Sequence, residues 1–213
     1  MKPMLKLHLT CGALHASQIP FFVAVCEQVG LRPLLIDHHH HRGEHDHTHD
    51  GSERKQQPSA IAWLRADFEE AKAEAMALAQ WLARAGMAVL GVKVDAQVHD
   101  ADRLGRTGRY FEWRGKLRQL HDLSALQQLC EAHGAQLSRD SLHEEADTCF
   151  LTLRSHEPLD AFRLRVVVLC EQLHRDGWPL LAQDSEICLH DSREAPELPG
   201  ADWLAPYLKP AAG

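Results

Sequence analysis

Seven of the chain's sixteen histidines fall between His38 and His49, in the company of Glu44, Asp46 and Asp50. Neutral imidazole is a good ligand for zinc, nickel or copper, and a loop can gather three or four such rings round one ion. His38, His39, His40, His41, His45, His47 and His49 are therefore candidate ligands of a divalent transition metal. The alternate spacing of His45, His47 and His49 would put three rings on one side of an extended segment.

A second group of residues has the chemistry to hold an anion. Glu112, Arg114, Lys116 and Arg118 alternate along one segment, and Thr152 and Arg154 alternate along another. If both segments are strands, period-two geometry places each set on one face. Arginine forks match phosphate and carboxylate oxygens, and lysine adds a point charge. Arg114, Lys116 and Arg154, with Thr152 and Ser138 as neutral donors and Glu112 beside them, form the candidate ligand site. Paired charges across a solvated sheet, such as Glu112 with Arg154, are the structural alternative.

Two short motifs resemble known families. His8-Leu-Thr10 and His190-Asp-Ser192 resemble the paired His-x-Thr/Ser signature of the two-histidine phosphoesterases. That resemblance implies two related α+β lobes facing a cleft, with His8 and His190 as weak candidates for a catalytic base and acid. Glu112-Trp-Arg-Gly-Lys116 resembles the alternating Glu-x-Glu-x-Lys strand of triphosphate-tunnel enzymes, with arginine in place of the second glutamate. No Gly-rich phosphate loop, Gly-x-Ser-x-Gly elbow or HExxH helix is present.

The elements that must position these residues follow from helix stops. Gly30, Gly86, Gly134 and Gly177 each close an amphipathic stretch and precede an apolar one. Glycine past a helix takes the left-handed cap conformation, so four helices end there. Strands are expected over 4–11, 34–37, 61–68, 89–95, 110–118, 135–139, 148–154 and 179–190, with helices over 17–29, 69–85, 123–133 and 158–175. The order β-α-β-β-α-β is thus read twice.

This order predicts an α+β protein built by tandem duplication of a ferredoxin-like unit, with antiparallel sheets and helices on one face of each. The units are residues 1–98 and 110–192, joined by a linker over 99–109 and followed by a tail over 193–213. Gly30 to Gly86 spans 56 positions and Gly134 to Gly177 spans 43. The surplus matches the histidine-rich segment 38–51, which reads as an insertion between the second and third strands.

In such a unit the face without helices needs solvent or a partner. That face would carry Lys6, His8, Thr10, Trp63, Arg65, Asp67, Lys93 and Asp95 in the first unit. In the second it would carry Glu112, Arg114, Lys116, Arg118, Thr152, Arg154, Glu186 and His190.

Bulk properties narrow the partners. With 213 residues and a net charge of −7, the chain can bury a sizeable core but lacks the basic footprint of a general nucleic-acid coat. No apolar run is long enough to span a membrane, and the first residues alternate instead of forming a signal sequence. The six cysteines include no CxxC pair, which suits reduced thiols in the cytoplasm. Three functions remain open at this point: binding of a small anionic, phosphorylated ligand in a groove between the halves, with or without hydrolysis; transition-metal binding through the histidine-rich loop; and recognition of a protein partner.

Overall fold

A computed structural model of the chain describes residues 2–38, 56–100, 108–118, 123–143 and 148–194. Eight strands are present: β1 (Met4–Cys11), β2 (Arg32–His38), β3 (Gln56–Arg65), β4 (Val89–Gln97), β5 (Tyr110–Arg118), β6 (Ala135–Asp140), β7 (Thr148–Ser155) and β8 (Leu180–Asp191). The α-helices among the described residues are α1 (Ile19–Gln28), α2 (Phe68–Arg84), α3 (Leu123–His133) and α4 (Leu159–Arg175). The four glycines at the helix ends have φ between 66° and 89°, the left-handed conformation that glycine adopts without steric cost.

The strands close into one antiparallel barrel in the order β1-β3-β2-β6-β7-β5-β8-β4, with β4 returning to β1. This overturns the expected tandem duplication of ferredoxin-like units with separate sheets. Two unions between the halves decide it. Asp37 pairs with Arg139 in the β2·β6 union, and Ala96 pairs with Ile187 in the β4·β8 union. A free sheet edge presents unpaired N–H and C=O groups, and closure satisfies them. Neither half stands as a self-contained repeat, since each supplies the edges that the other pairs with.

The helices cover the outside. Leu5, Leu7 and Leu9 of β1 point outward and pack with Phe22, Cys26, Ala71, Ala75 and Leu82 in one core cluster. Trp113, Leu117, Leu151 and Leu153 form a second cluster with Leu126, Phe162, Leu169 and Leu173. Phe111 packs against both. Because alternate residues point to opposite faces, the apolar set buried beneath the helices leaves its polar neighbours facing the barrel axis.

Strand β3 begins five residues earlier than its composition suggested. Gln57 and Ser59 face the interior and Pro58 opposes Leu35, so a segment that reads as loop is accommodated by a polar cavity. The six cysteines are free thiols and five of them are buried. Burial pushes the thiols of Cys11, Cys26, Cys130 and Cys188 up to about 12. Among the described residues no helix is long and apolar enough to cross a membrane.

Candidate functional site

The barrel encloses a cavity of about 890 Å³. Lys6, His8 and Thr10 reach it from β1, Lys93 from β4, Glu112, Arg114 and Lys116 from β5, and Thr152 and Arg154 from β7. Arg32, Leu34, Ile36 and His38 come from β2, Ser59, Ile61 and Trp63 from β3, and Gln136 and Ser138 from β6.

The lining has two characters. Toward β1, β4, β8 and β5 it is a network of buried charges. Lys6 Nζ donates to both carboxylate oxygens of Glu186 at 3.0 Å. Lys93 Nζ lies 3.1 Å from Glu112 Oε1 and 3.2 Å from Asp95 Oδ2. Arg114 Nε donates to Glu112 Oε1 at 2.8 Å. Arg154 reaches Glu112 Oε2 at 3.4 Å and Glu194 Oε1 at 2.6 Å, with its guanidinium 4.1 Å from the centre of the Tyr110 ring. Tyr110 in turn donates its hydroxyl to Asp191 at 2.8 Å. Toward β3, β2, β6 and the start of β7 the lining combines the apolar Ile61, Leu34, Ile36 and Phe150 with Gln136 and Ser138 and with the charged Arg32, Arg139 and Asp140.

Burial and mutual charge set the ionisation of this network. Desolvation raises the Glu112 carboxyl, but Arg114 and Lys93 outweigh it and hold the group well below the usual carboxylate range. Desolvation, opposed by Lys93 and reinforced by Glu186 and Glu112, lifts Asp95 to about 7. Burial and the neighbouring Arg114, Lys93 and Lys6 charges push His8 well below the ordinary histidine value, so its imidazole is neutral. Burial and Arg114 also lower Lys6, whereas on Lys93 the carboxylates of Asp95 and Glu112 outweigh desolvation.

Two groups in this layer are poorly paired. His8 Nε2 is buried and has no hydrogen-bond partner among the described residues. Neither oxygen of Asp95 accepts a hydrogen bond of good geometry, although Lys93 lies at ion-pair distance. A buried polar atom left unsatisfied costs about 1–3 kcal/mol, and His8, which lines the cavity as Asp95 does not, is suited to meet a bound group. The burial and cations that depress His8 disfavour its imidazolium, so this neutral ring is suited to hydrogen-bond a bound group and not to take up a proton from it.

The six residues expected to form the ligand site, Glu112, Arg114, Lys116, Ser138, Thr152 and Arg154, all line this cavity. They do so from inside a barrel, not across a groove between two sheets. His8 and His190 are not brought together: His8 lines the cavity, while His190 does not and feels the charges of Lys72 on α2 and of Arg109. Arg114, standing where the triphosphate-tunnel pattern has a second glutamate, pairs with Glu112. Asp67 is turned to a structural task, capping α2 by accepting from the Glu70 backbone at 3.0 Å.

His39, His40, His41, His45, His47 and His49 lie outside the described residues. His38 lines the cavity and its Nε2 is 3.2 Å from Gln57 Oε1. Among the described residues no group of three or more His, Cys, Asp or Glu side chains is placed to share a metal ion, and the histidine-rich segment on which the expectation of metal binding rests lies outside them apart from His38.

Sequence reasoning missed Leu34, Ile36, Ile61 and Phe150 as lining residues. A signal was present: Pro33-Leu-Leu-Ile36 is apolar on both faces, the mark of a strand covered on both sides.

No family model matches the chain, and no curated protein matches it. Among solved structures it is similar to a heme-binding protein from Thermus thermophilus, at 10% identity over 89% of this chain and 92% of that one, with a TM-score of 0.30. It is similar also to the acetolactate synthase small subunit from Thermotoga maritima, at 13% identity over 86% of this chain and 95% of that one, again with a TM-score of 0.30. Likeness at this level transfers no function.

Proposed function

We propose that the protein binds a small amphipathic anion inside the barrel, with a phosphate or carboxylate against Arg114, Lys116 and Arg154 and an apolar body against Leu34, Ile36, Ile61 and Phe150. One observation carries this reading. In a chain of net charge −7, the cavity is lined by eight basic side chains and five acidic ones. Its volume of about 890 Å³ falls within the range of small-molecule sites.

The carboxylates in the network support the same role. Glu112 grips Arg114 and Arg154 from one side, which fixes their forks before a ligand arrives and lowers the ordering cost of binding. Arg114 Nη1 is not among the atoms used on Glu112. Thr152, opposite Arg114 on the neighbouring strand, adds a hydroxyl at the same level. His8, neutral and with an unpartnered Nε2, is placed to make a hydrogen bond to the bound molecule.

The test uses anilinonaphthalene sulfonate, an anion with an apolar body, as the reporter. Calorimetry and fluorescence should give one saturable site, competed by phenyl phosphate and by benzoate. Arg154→Ala should weaken it by about tenfold, within the scale of a lost charge-assisted hydrogen bond of roughly 1–3 kcal/mol. Phe150→Ala should weaken the reporter but not inorganic phosphate. Binding unaffected by either substitution would overturn the proposal.

A further inference from the structure

Helices α2 and α4 are both 17 residues long and follow the third strand of their respective halves. Their outward faces differ. That of α2 carries Glu70, Ala73, Glu74 and Ala77, which are good helix formers and easily solvated, with one large apolar side chain, Trp81, exposed at its C-terminal end. That of α4 carries Leu164, Val167 and Val168, whose exposures are 64%, 51% and 41%.

Valine at an exposed helix position costs propensity relative to alanine, because its χ1 freedom is lost against the preceding turn. Here it gains no packing within the described chain to offset that cost. The i, i+3, i+4 spacing makes the three residues one continuous stripe.

The charges beside the stripe are ordered. Asp160 and Arg163 flank its N-terminal end and Glu171 and Arg175 its C-terminal end, all four of them exposed. A twofold axis between Val167 and Val168 sets a second α4 antiparallel to the first. Position 160 of each copy then meets position 175 of the other, so Asp160 faces Arg175. Val167 packs on Val168, Arg163 comes beside Gln172, and Leu164 meets the aliphatic stem of Glu171. A parallel arrangement would instead set like charge on like charge.

We propose that α4 is the interface of a homodimer formed by antiparallel packing of this stripe on its twofold copy. Self-complementarity of the two valines and of the Asp160–Arg175 pair is what an isologous interface requires, and an unrelated partner would not impose it. The stripe lies on the outer surface of the barrel, so the dimer leaves the cavity and its ligand independent of it.

Sedimentation velocity on the full chain between 1 and 100 µM (concentrations on the order of those where modest interfaces form) should show a dimer that dissociates on dilution. Val167→Asp should weaken the dimer at least tenfold with unchanged circular dichroism. Arg175→Asp should weaken it as well, and adding Asp160→Arg to Arg175→Asp should restore it. A single-chain mass at every concentration would overturn the proposal, as would a dimer indifferent to both Val167→Asp and Arg175→Asp. A monomer in which Val167→Asp exposes residues 195–213 to protease would assign the stripe to the chain's own C-terminal segment, and so overturn it too.

Discussion

The two unions that close the barrel are built differently. At β4·β8, five residue pairs run from Lys93 with Asp191 to Gln97 with Glu186, broken by a bulge between Val94 and Asp95. Charged side chains reinforce this union from the barrel interior. At β2·β6 three pairs form among the described residues, Ile36 with Asp140, Asp37 with Arg139 and His38 with Ser138. Side-chain bonds extend it: Asp140 Oδ1 accepts from Leu35 N at 3.1 Å, and Ser141 Oγ donates to Leu35 O at 3.1 Å. One union is thus held by electrostatics in a buried layer, the other by a short ladder with polar splices. The first should control global stability and the second local opening.

The largest expected effect comes from removing the hub of the charged layer. Glu112 neutralises Lys93, Arg114 and Arg154, and Glu112→Gln would leave buried cations without their common counter-charge. A loss of about 3–5 kcal/mol in urea unfolding is expected, the scale of breaking a buried pair from one side. A loss below about 1 kcal/mol, the scale of surface pairs, would show that water already screens this layer.

Asp95 sharpens the comparison through pH. Its folded-state value of about 7 lies above the ordinary 3.8. Between those values the folded state holds a proton that the unfolded state has released, so Asp95 contributes stability at low pH that is lost as pH rises through about 7. His8 has the opposite sign, since its depressed value makes the unfolded state the better proton acceptor below pH 6.5. Asp95→Asn should therefore flatten the fall in stability on going from pH 5 to pH 8 and leave the His8 contribution in place. Thermal denaturation across that range is the measurement, and an unchanged profile would count against a protonated Asp95.

At the β2·β6 union, Asp140→Ala should cost about 1–2 kcal/mol, the scale of a lost side-chain to backbone hydrogen bond. Amide exchange should quicken at Leu35 and Leu142, which donate to Asp140 Oδ1 at 3.1 and 3.2 Å, and not at Val94 or Ala96. Uniform acceleration round the barrel would show that the two unions open together. The smallest effect is expected outside both unions. Lys2 pairs with Glu70 and Asp67 at an exposed site, and Lys2→Ala should leave the unfolding midpoint unchanged.

Local structure was legible in the residues themselves. Alternation from Met4 to Cys11 and from Tyr110 to Arg118 marks strands with one apolar and one polar face, and the structure has strands over both spans. The inward set Glu112, Arg114 and Lys116 was visible for the same reason, because a strand's period of two does not depend on its neighbours. What lies opposite that set was not. A polar face reads the same whether it meets solvent or the far wall of a barrel, and the difference rests on edges pairing between residues as distant as Asp37 and Arg139.

That distance explains the error about the fold. The amino-acid sequence by itself determined the elements, their order, the glycine stops and which side chains share a face, all of which are local properties of a few neighbouring residues. Only the tertiary structure decided that β2 joins β6 and β4 joins β8, and therefore that the polar faces enclose one cavity. Edge backbone groups of any sequence can pair with any other edge. The selection between separate sheets and a closed barrel lies in how helix packing outside and charge pairing inside are satisfied together. Lys6 with Glu186 and Lys93 with Glu112 are such pairs, each joining the two halves across the barrel.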